Sequence, residues 1–187
     1  MEEKAYHLDP GCCAVLLVDI QENMMKVISG RDEVVRNSVL LLKAARALAV
    51  PVVATTQYVA RIGPLLPEIT AELGGVEPLD KLEFGCFGNE AAKQKVLSLG
   101  RSINTLVVCG VETHICIYQT ALGALLQGFR VWVPADAVSS RTVKNYETGL
   151  ARLREIGAVV ANTEMIIYDW LKLAGTPVFK ELLPFLK

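Results

Sequence analysis

One pattern repeats along the chain: a short apolar run, a loop, and then a longer segment with helical periodicity. The first run, Cys13–Val18, contains no charged side chain, as is typical of a strand covered on both faces. Arg31–Ala49 follows, with apolar residues spaced to give one wide helical face. Strands that alternate with helices of this length form right-handed crossovers and a parallel sheet. We therefore predict an α/β protein: a three-layer α/β/α, Rossmann-like single domain over residues 1–187 with a six-stranded parallel sheet.

The other elements are predicted from the same periodicities and from the caps, glycines and prolines that bound them. The other strands are Val52–Thr55, Val76–Leu82, Thr105–Cys109, Arg130–Val133 and Ala158–Ala161. The other helices are Asn89–Leu99, a helix after Gly110 that runs through Gln127, Thr142–Ile156, Thr163–Leu173 and Pro177–Leu186. Gly110 is expected to end the fourth strand, and residues 57–75 are expected to form a long loop with one short helix.

Charge and composition exclude several classes of function. The chain has 19 Lys and Arg against 20 Asp and Glu, a net charge of −1, so it lacks the basic surplus of nucleic-acid and anionic-membrane binders. No apolar run approaches the roughly 18 residues of a spanning helix. The first residues lack the pattern of a secretory signal, so we expect a cytoplasmic protein. Five cysteines without CxxC spacing and only two histidines predict neither disulfides nor a metal site.

Three predicted strands end next to side chains with complementary chemistry. Asp19 follows the first strand, Lys81 lies at the exit of the third, and Cys116 lies near the start of the helix after the fourth. The carboxyl ends of parallel strands share one edge of the sheet, so these groups are expected to approach each other. A carboxylate can act as a general base and a thiol as a nucleophile.

Each of these residues also has an ordinary structural interpretation. Asp19 could belong to a turn, Lys81 could be solvated, and Cys116 could be a buried structural cysteine. Against the last stands the position of Cys116, because a helix start favours a thiolate. The unpaired backbone N–H groups there, around Glu112 and Cys116, could also hold an oxyanion.

Several segments resemble the isochorismatase-like cysteine hydrolase family over nearly the whole chain. They are Leu17–Gln21, Lys81 with the loop at Phe84, Gly110–Cys116, and Val133–Arg141. The resemblance implies a triad in which Cys116 is the nucleophile, Asp19 its base and Lys81 the cation that orients and tunes them. It also implies an oxyanion hole made by the N–H groups of Glu112 and Cys116, with a cis peptide between Val111 and Glu112.

The resemblance implies a reaction as well. Such enzymes attack a carbonyl or related carbon of a small-molecule substrate, here an amide or a related C–N or ester compound, and form a thioester that water hydrolyses. Nicotinamidases of this family carry metal-binding histidines after the second strand, whereas Gln57–Gly63 contains none. The chain therefore resembles the short, metal-free branch, for which no cofactor is expected. Gln57, Tyr58, Phe84 and Ile115 are expected to line the substrate pocket.

Two other functions remain open from the sequence. The chain could be a catalytically silent binding or scaffold module of the same fold. It could also be a thiol redox sensor built on Cys116, with Cys86 as a second thiol that could approach in space. The apolar C-terminal segment, residues 178–186, could pack on its own domain or on a partner subunit. The family resemblance favours a homo-oligomer.

Overall fold

A computed structural model describes residues 7–186, so the N-terminal residues 1–6 on which the targeting argument rests lie outside the described range. The strands are β1 Cys13–Val18, β2 Val52–Gln57, β3 Leu79–Lys81, β4 Thr105–Val111, β5 Arg130–Pro134, β6 Val138–Ser139 and β7 Val159–Ala161. The helices are α1 Glu22–Met25, α2 Arg31–Ala47, α3 Val59–Ile62, α4 Pro67–Thr70, α5 Glu90–Leu97, α6 Tyr118–Leu126, α7 Val143–Glu155, α8 Thr163–Leu171 and α9 Pro177–Leu182.

The strands form one parallel sheet in the order β3-β2-β1-β4-β5-β7, with β6 paired to β4 beside that path. The predicted parallel α/β fold is confirmed, and its six strands correspond to the six strands along this path. The addition is β6, which has two residues, too few for a periodic pattern to reveal. Residues 57–75 contain two short helices, α3 and α4, where one was predicted. That residues 1–187 form a single domain stays a prediction.

The sheet separates two apolar cores, which makes the fold a three-layer structure. Alternate residues of β1 face opposite sides: Cys13, Val15 and Leu17 pack in one core, and Ala14, Leu16 and Val18 pack in the other. Helices α2 and α8 cover the first core, whereas α5, α6 and α7 cover the second. Every β1 side chain is buried, which explains the unbroken apolar run in the sequence.

Strand β4 continues through Gly110 and Val111, so the prediction that Gly110 ends this strand is wrong. Gly110 pairs with Val18 of β1 on one side and with Val138 of β6 on the other. Its φ is +117°, and a Cβ there would lie 1.9 Å from the carbonyl oxygen of Val18. The glycine therefore lets β1 and β4 approach closely at the edge where the candidate site lies.

The apolar C-terminal segment packs on its own domain. Leu182 is buried, and Val178, Phe179 and Leu186 pack against the core that α2 covers. Packing against this core explains why much of the segment is apolar, and no partner subunit is needed for that explanation. Between residues 7 and 186, no helix is long and apolar enough to cross a membrane.

Candidate active site

The candidate site lies where the direction of strand addition reverses. From β1 the chain adds β2 and then β3 on one side, and it then returns to place β4 on the other side of β1. Such a switch point opens a crevice at the carboxyl ends of the two central strands. Asp19 directly follows β1, Lys81 is the last residue of β3, and Cys116 lies in the turn after β4. The three residues predicted from the strand ends therefore lie at one edge.

Asp19 and Lys81 form a fully buried ion pair. The Lys81 Nζ lies 2.6 Å from Asp19 Oδ2, and both side chains have 0% exposure. Because β2 separates β3 from β1, the long side chain of Lys81 must cross a strand to reach the carboxylate. The interpretation of Lys81 as a solvated lysine is therefore wrong.

Two polar side chains of β2 occupy the gap that Lys81 crosses. The hydroxyl of Thr55 donates to Asp19 Oδ1 at 2.8 Å, and Lys81 Nζ donates to Gln57 Oε1 at 2.9 Å. The side-chain NH₂ of Gln57 donates in turn to the Leu82 carbonyl at 2.8 Å. Gln57 was predicted to line the substrate pocket, but both ends of its amide are engaged in holding Lys81 and the chain after it.

Gln21, directly before α1, holds the end of β2. Its side chain accepts from the Gln57 N–H at 2.7 Å and donates to the Gln57 carbonyl at 3.1 Å and the Gly63 carbonyl at 2.6 Å. A fully buried glutamine with all these groups satisfied fixes the segment that carries Gln57. These hydrogen bonds explain how Gln21, a polar residue, can be fully buried directly after Asp19 and Ile20.

Cys116 lies in a single π-helical turn, Thr113–Ile117, that joins β4 to α6. Its side chain is hydrogen-bonded to the Asp19 carboxylate, and 4% of the residue is exposed. Burial, and then the negative charge of Asp19, raise the pKa of the Cys116 thiol to about 12, although Lys81 and the Glu112 backbone N–H oppose the rise. The resting group is therefore a neutral thiol rather than the thiolate that a helix start favours.

The carboxylate of Asp19 is placed to accept a proton. Burial raises the pKa of this carboxyl above its ordinary value, while the Lys81 ammonium and the Thr55 hydroxyl limit the rise. Asp19 also has a positive φ of 57°, unusual for a residue other than glycine. Non-glycine residues held in this region carry strain that the surrounding structure must offset, and such residues cluster at functional sites.

The backbone at Glu112 forms the other side of the site. Its carbonyl accepts from the Ile115 N–H at 3.0 Å and the Ile117 N–H at 3.1 Å. A hydrogen bond from its own backbone opposes the rise in the pKa of the Cys116 thiol. The peptide between Val111 and Glu112 is cis, as the resemblance implies. The Glu112 side chain is bound by Arg141, an interaction that the sequence did not suggest.

The remaining residues predicted to line a pocket are more exposed. Tyr58 is 43% exposed and Phe84 53%, whereas Ile115 is half-buried. The Tyr58 N–H donates to the Lys81 carbonyl at 2.9 Å, which places Tyr58 beside the end of β3. A groove of about 460 Å³ runs between the loop at residues 83–88 and α6. None of the three reactive residues lines it.

Other chemistry-bearing groups lie close to this arrangement. Cys86 is fully buried, and its sulfur lies 3.8 Å from the Thr55 hydroxyl. Nδ1 of His114 lies 2.9 Å from the Ser140 hydroxyl. No cluster of three or more His, Cys, Asp or Glu suited to a metal ion occurs in the described part of the chain. Sequence reasoning missed Thr55, whose pairing opposite Val18 puts it next to Asp19.

The family model described as the isochorismatase domain matches residues 13–165. The chain belongs to the isochorismatase family. Isochorismatase domain-containing protein 2 of Bos taurus is 37% identical over 178 residues, which cover 95% of this chain and 84% of the relative. The family is thus supported by both sequence comparisons and by the fold.

Solved structures match the same fold. The MAR1 ribonuclease of Caenorhabditis elegans superposes with a TM-score of 0.89 at 26% identity, covering 97% of this chain and 92% of that one. YcaC of Pseudomonas aeruginosa, solved with hexane-2,5-diol and covalent acrylamide, gives 0.89 at 25% identity over 96% and 91%. The Escherichia coli YcaC gene product, an octameric hydrolase of unknown specificity, gives 0.86 at 24% identity over 97% and 88%.

Proposed function

We propose that this isochorismatase-family protein is a cysteine hydrolase that cleaves a small amide, or a related C–N or ester compound, through a thioester on Cys116. The observation that carries the proposal is the Asp19 carboxylate, which is buried and bonded at once to the Lys81 ammonium and the Cys116 thiol. A buried base that interacts with both a cation and a nucleophile provides the parts that covalent acyl transfer needs.

In the first step, the proton of the Cys116 thiol passes to Asp19 as the sulfur bonds to the substrate carbonyl carbon. The electron pair of the carbonyl π bond moves to oxygen and forms a tetrahedral oxyanion. A thiol with a pKa of about 12 is a poor nucleophile until its proton is taken, and its hydrogen bond to Asp19 supplies that route.

The N–H groups of Glu112 and Cys116 hold the oxyanion in this proposal. The Glu112 backbone N–H interacts with the Cys116 thiol and opposes the rise in its pKa, so we expect an oxygen on the carbon that bonds to this sulfur to lie within reach of this N–H. Loss of one such donor typically lowers the rate by about 10²–10³-fold.

Lys81 stabilises the ionised form of Asp19 and holds this carboxylate in position. Its ammonium offsets the cost of burying an ionised Asp19, and it directs one carboxylate oxygen while Thr55 binds the other. When the tetrahedral intermediate collapses, protonated Asp19 gives its proton to the leaving nitrogen or oxygen, and the C–N or C–O bond breaks. Asp19 then accepts a proton from the water that attacks the thioester, and Cys116 recovers its proton as the acid product leaves.

The confined position of the thiol supports a small substrate. With 4% of Cys116 exposed, a folded polymer cannot bring a scissile bond to the sulfur, whereas a small carbonyl compound can. Two exposed aromatic side chains lie near Lys81: Tyr58, whose N–H donates to the Lys81 carbonyl, and Phe84, three residues further along the chain. We expect them to contact the rest of the substrate.

The relatives are consistent with this choice. YcaC of P. aeruginosa carries covalent acrylamide, which supports a reactive nucleophile on this fold. The name of the C. elegans protein raises RNA as another substrate, but the net charge of −1 and the buried thiol favour a small molecule for this chain. A catalytically silent scaffold would have no need for the buried Asp19–Lys81 pair, whose assembly opposes stability unless every group is satisfied.

A homo-oligomer is also part of the proposal. The E. coli YcaC gene product is octameric, and this chain exposes Leu82, Phe84 and Leu126 by 65%, 53% and 76%. Light scattering coupled to size exclusion tests this point, and a monomeric mass at micromolar concentration would contradict it.

The experiment that tests the function is a screen of small amides and esters with the wild-type protein beside Cys116→Ala. Turnover that the folded variant lacks supports the proposal. Turnover of any hit that persists in Cys116→Ala would overturn the cysteine mechanism. An RNA arm in the same screen separates the hydrolase of small molecules from a ribonuclease.

A further inference from the structure

The Glu112 carboxylate is bound on two sides by a single residue, Arg141. Its Oε1 accepts from an Arg141 NH₂ nitrogen at 2.9 Å, and its Oε2 accepts from Arg141 Nε at 3.1 Å and from the Arg141 backbone N–H at 2.9 Å. The Glu112 side chain is 10% exposed, whereas that of Arg141 is 55% exposed. A half-exposed guanidinium therefore forms a two-pronged contact with a nearly buried carboxylate.

The fold brings Arg141 to this position through β6. Val138 pairs with Gly110 and Ser139 pairs with Val111, so β6 runs beside the last two residues of β4. Two residues after β6, Arg141 lies opposite Glu112, the residue that follows β4. The segment 138–141 thus lies beside the turn that leads to Cys116.

The same segment contacts the turn at a second point. The Ser140 hydroxyl lies 2.9 Å from Nδ1 of His114, and its carbonyl accepts from the Ser29 N–H at 3.0 Å. Ser140 is fully buried, and these two contacts hold it between His114 and Ser29. Arg141 and Ser140 bind Glu112 and His114, the residues on either side of Thr113.

We propose that Arg141 is a positioning residue for the oxyanion hole: its fork and backbone N–H hold the Glu112 side chain so that the Glu112 backbone N–H stays aimed at the reacting centre. This inference rests on the proposed function. The Glu112 carbonyl is already fixed by the Ile115 and Ile117 N–H groups. The carboxylate is the other end of the residue, and anchoring both ends leaves the N–H little freedom to turn away. Displacement of a donor by about 1 Å can lower a rate about 10²-fold.

Two reactions of one thiol test the proposal. Acetylation by p-nitrophenyl acetate bonds the Cys116 sulfur to the acetyl carbon, expels p-nitrophenolate and passes through an oxyanion. Alkylation by iodoacetamide bonds the sulfur to a methylene carbon, expels iodide and forms no oxyanion. In both, the thiol proton leaves the sulfur. Mass spectrometry follows both reactions at Cys116. Changes in the ionisation or accessibility of the thiol affect both rates, so they cancel in the ratio of acetylation to alkylation.

In Arg141→Gln, the ratio of acetylation to alkylation is expected to fall by about 10-fold or more. Arg141→Lys keeps the charge but lacks the forked guanidinium, so its ratio should lie between those of Arg141→Gln and the wild type. Millimolar methylguanidinium should partly restore the ratio in Arg141→Gln. Arg46→Gln is the matched control, because the Arg46 side chain is 56% exposed and forms a 2.8 Å ion pair with Glu72. Its ratio should equal that of the wild type.

The outcomes separate this inference from the proposed function. An unchanged ratio in Arg141→Gln, or acetylation and alkylation that fall by the same factor, would overturn the positioning role and leave the hydrolase proposal standing. If wild-type Cys116 is acetylated no faster relative to alkylation than Cys12, the oxyanion hole itself is absent, and both proposals fail.

Discussion

The Lys81 ammonium lies 2.6 Å from a carboxylate oxygen of Asp19, and neither side chain is exposed to solvent. Removal of one member of such a pair leaves an uncompensated charge in the core, which typically costs about 3–5 kcal/mol of stability. Lys81→Met should therefore lower the free energy of unfolding by that amount at pH 7. Asp19→Asn/Lys81→Met removes both charges and should be more stable than Lys81→Met alone.

Urea unfolding measures these free energies, and circular dichroism confirms that each variant folds. Lys93→Met is the matched control, because Lys93 forms a 3.7 Å helical ion pair with a Glu90 side chain that is 72% exposed. That change should shift stability by less than about 1 kcal/mol. If the double variant loses the sum of the two single losses, Asp19 and Lys81 do not act as a buried pair.

Asp19→Asn should reduce turnover of any substrate found for the enzyme by at least about 10²-fold, because the amide cannot take the thiol proton. The amide oxygen can still accept from Thr55, so the backbone at β1 has reason to remain in place. We expect the loss in kcat, with KM changed little. Asp9→Asn, which removes a carboxylate next to the other end of β1, should leave kcat unchanged. Normal kcat in folded Asp19→Asn would remove this residue from the mechanism.

The reactivity of Cys116 should depend steeply on pH. Burial and Asp19 raise the pKa of its thiol to about 12, so the neutral form prevails below that pH and the reactive thiolate increases as pH rises. The rate of alkylation by iodoacetamide should accordingly rise about tenfold per pH unit from pH 7 to 10 without levelling. A small free thiol, with a pKa near 8.5, levels in this range and serves as the reference. A plateau for Cys116 between pH 6 and 8 would mean that the thiolate is preformed.

Gly110→Ala should destabilise the protein severely. The added Cβ would lie 1.9 Å from the Val18 carbonyl oxygen, and the φ of +117° disfavours any side chain. We expect a loss of about 4 kcal/mol or more, or failure to fold. Gly128→Ala shares the positive φ, at +86°, but meets nothing within 4 Å, and should cost about 1–2 kcal/mol. Equal losses for the two variants would show that the contact with Val18 is not what requires the glycine.

Much of the fold was accessible from the sequence because its signals are local. The unbroken apolar run at β1 indicated a doubly covered strand. Asn89, the first residue of a predicted helix, caps α5 by accepting from the Ala92 N–H. Helix α7 was predicted within one residue at each end, because Thr142 caps it and Gly157 follows it. Periodicity and capping residues are enough to predict a helix or strand when the segment is long.

The errors arose where tertiary contacts override local signals. Gly110 was expected to end β4, yet it is the residue that allows β1 and β4 to meet, a requirement set by Val18, which is distant in sequence. The two residues of β6 become a strand only because the end of β4 lies beside them. Neither feature has a periodic pattern.

The candidate site divides in the same way. Asp19, Lys81 and Cys116 could be found because each follows a recognisable strand. Thr55 was not found, and Gln57 was predicted to line the pocket rather than to hold Lys81. Both contacts depend on β2 lying between β1 and β3, and strand order is a property of the whole sheet. Burial also raises the pKa of the Cys116 thiol to about 12, and the position of Cys116 near a helix start could not reveal this.

The central claim, a covalent intermediate on Cys116, is tested most directly by trapping it. The protein is mixed with p-nitrophenyl acetate, quenched in acid within seconds, and mapped by peptide mass spectrometry, with Cys116→Ser and Cys12→Ser alongside. We predict an acetyl group on Cys116 that forms in a burst and then decays by hydrolysis, unchanged in Cys12→Ser and absent at this position in folded Cys116→Ser. Acetylation spread equally over the cysteines, or p-nitrophenolate released at the wild-type rate by Cys116→Ser, would contradict it.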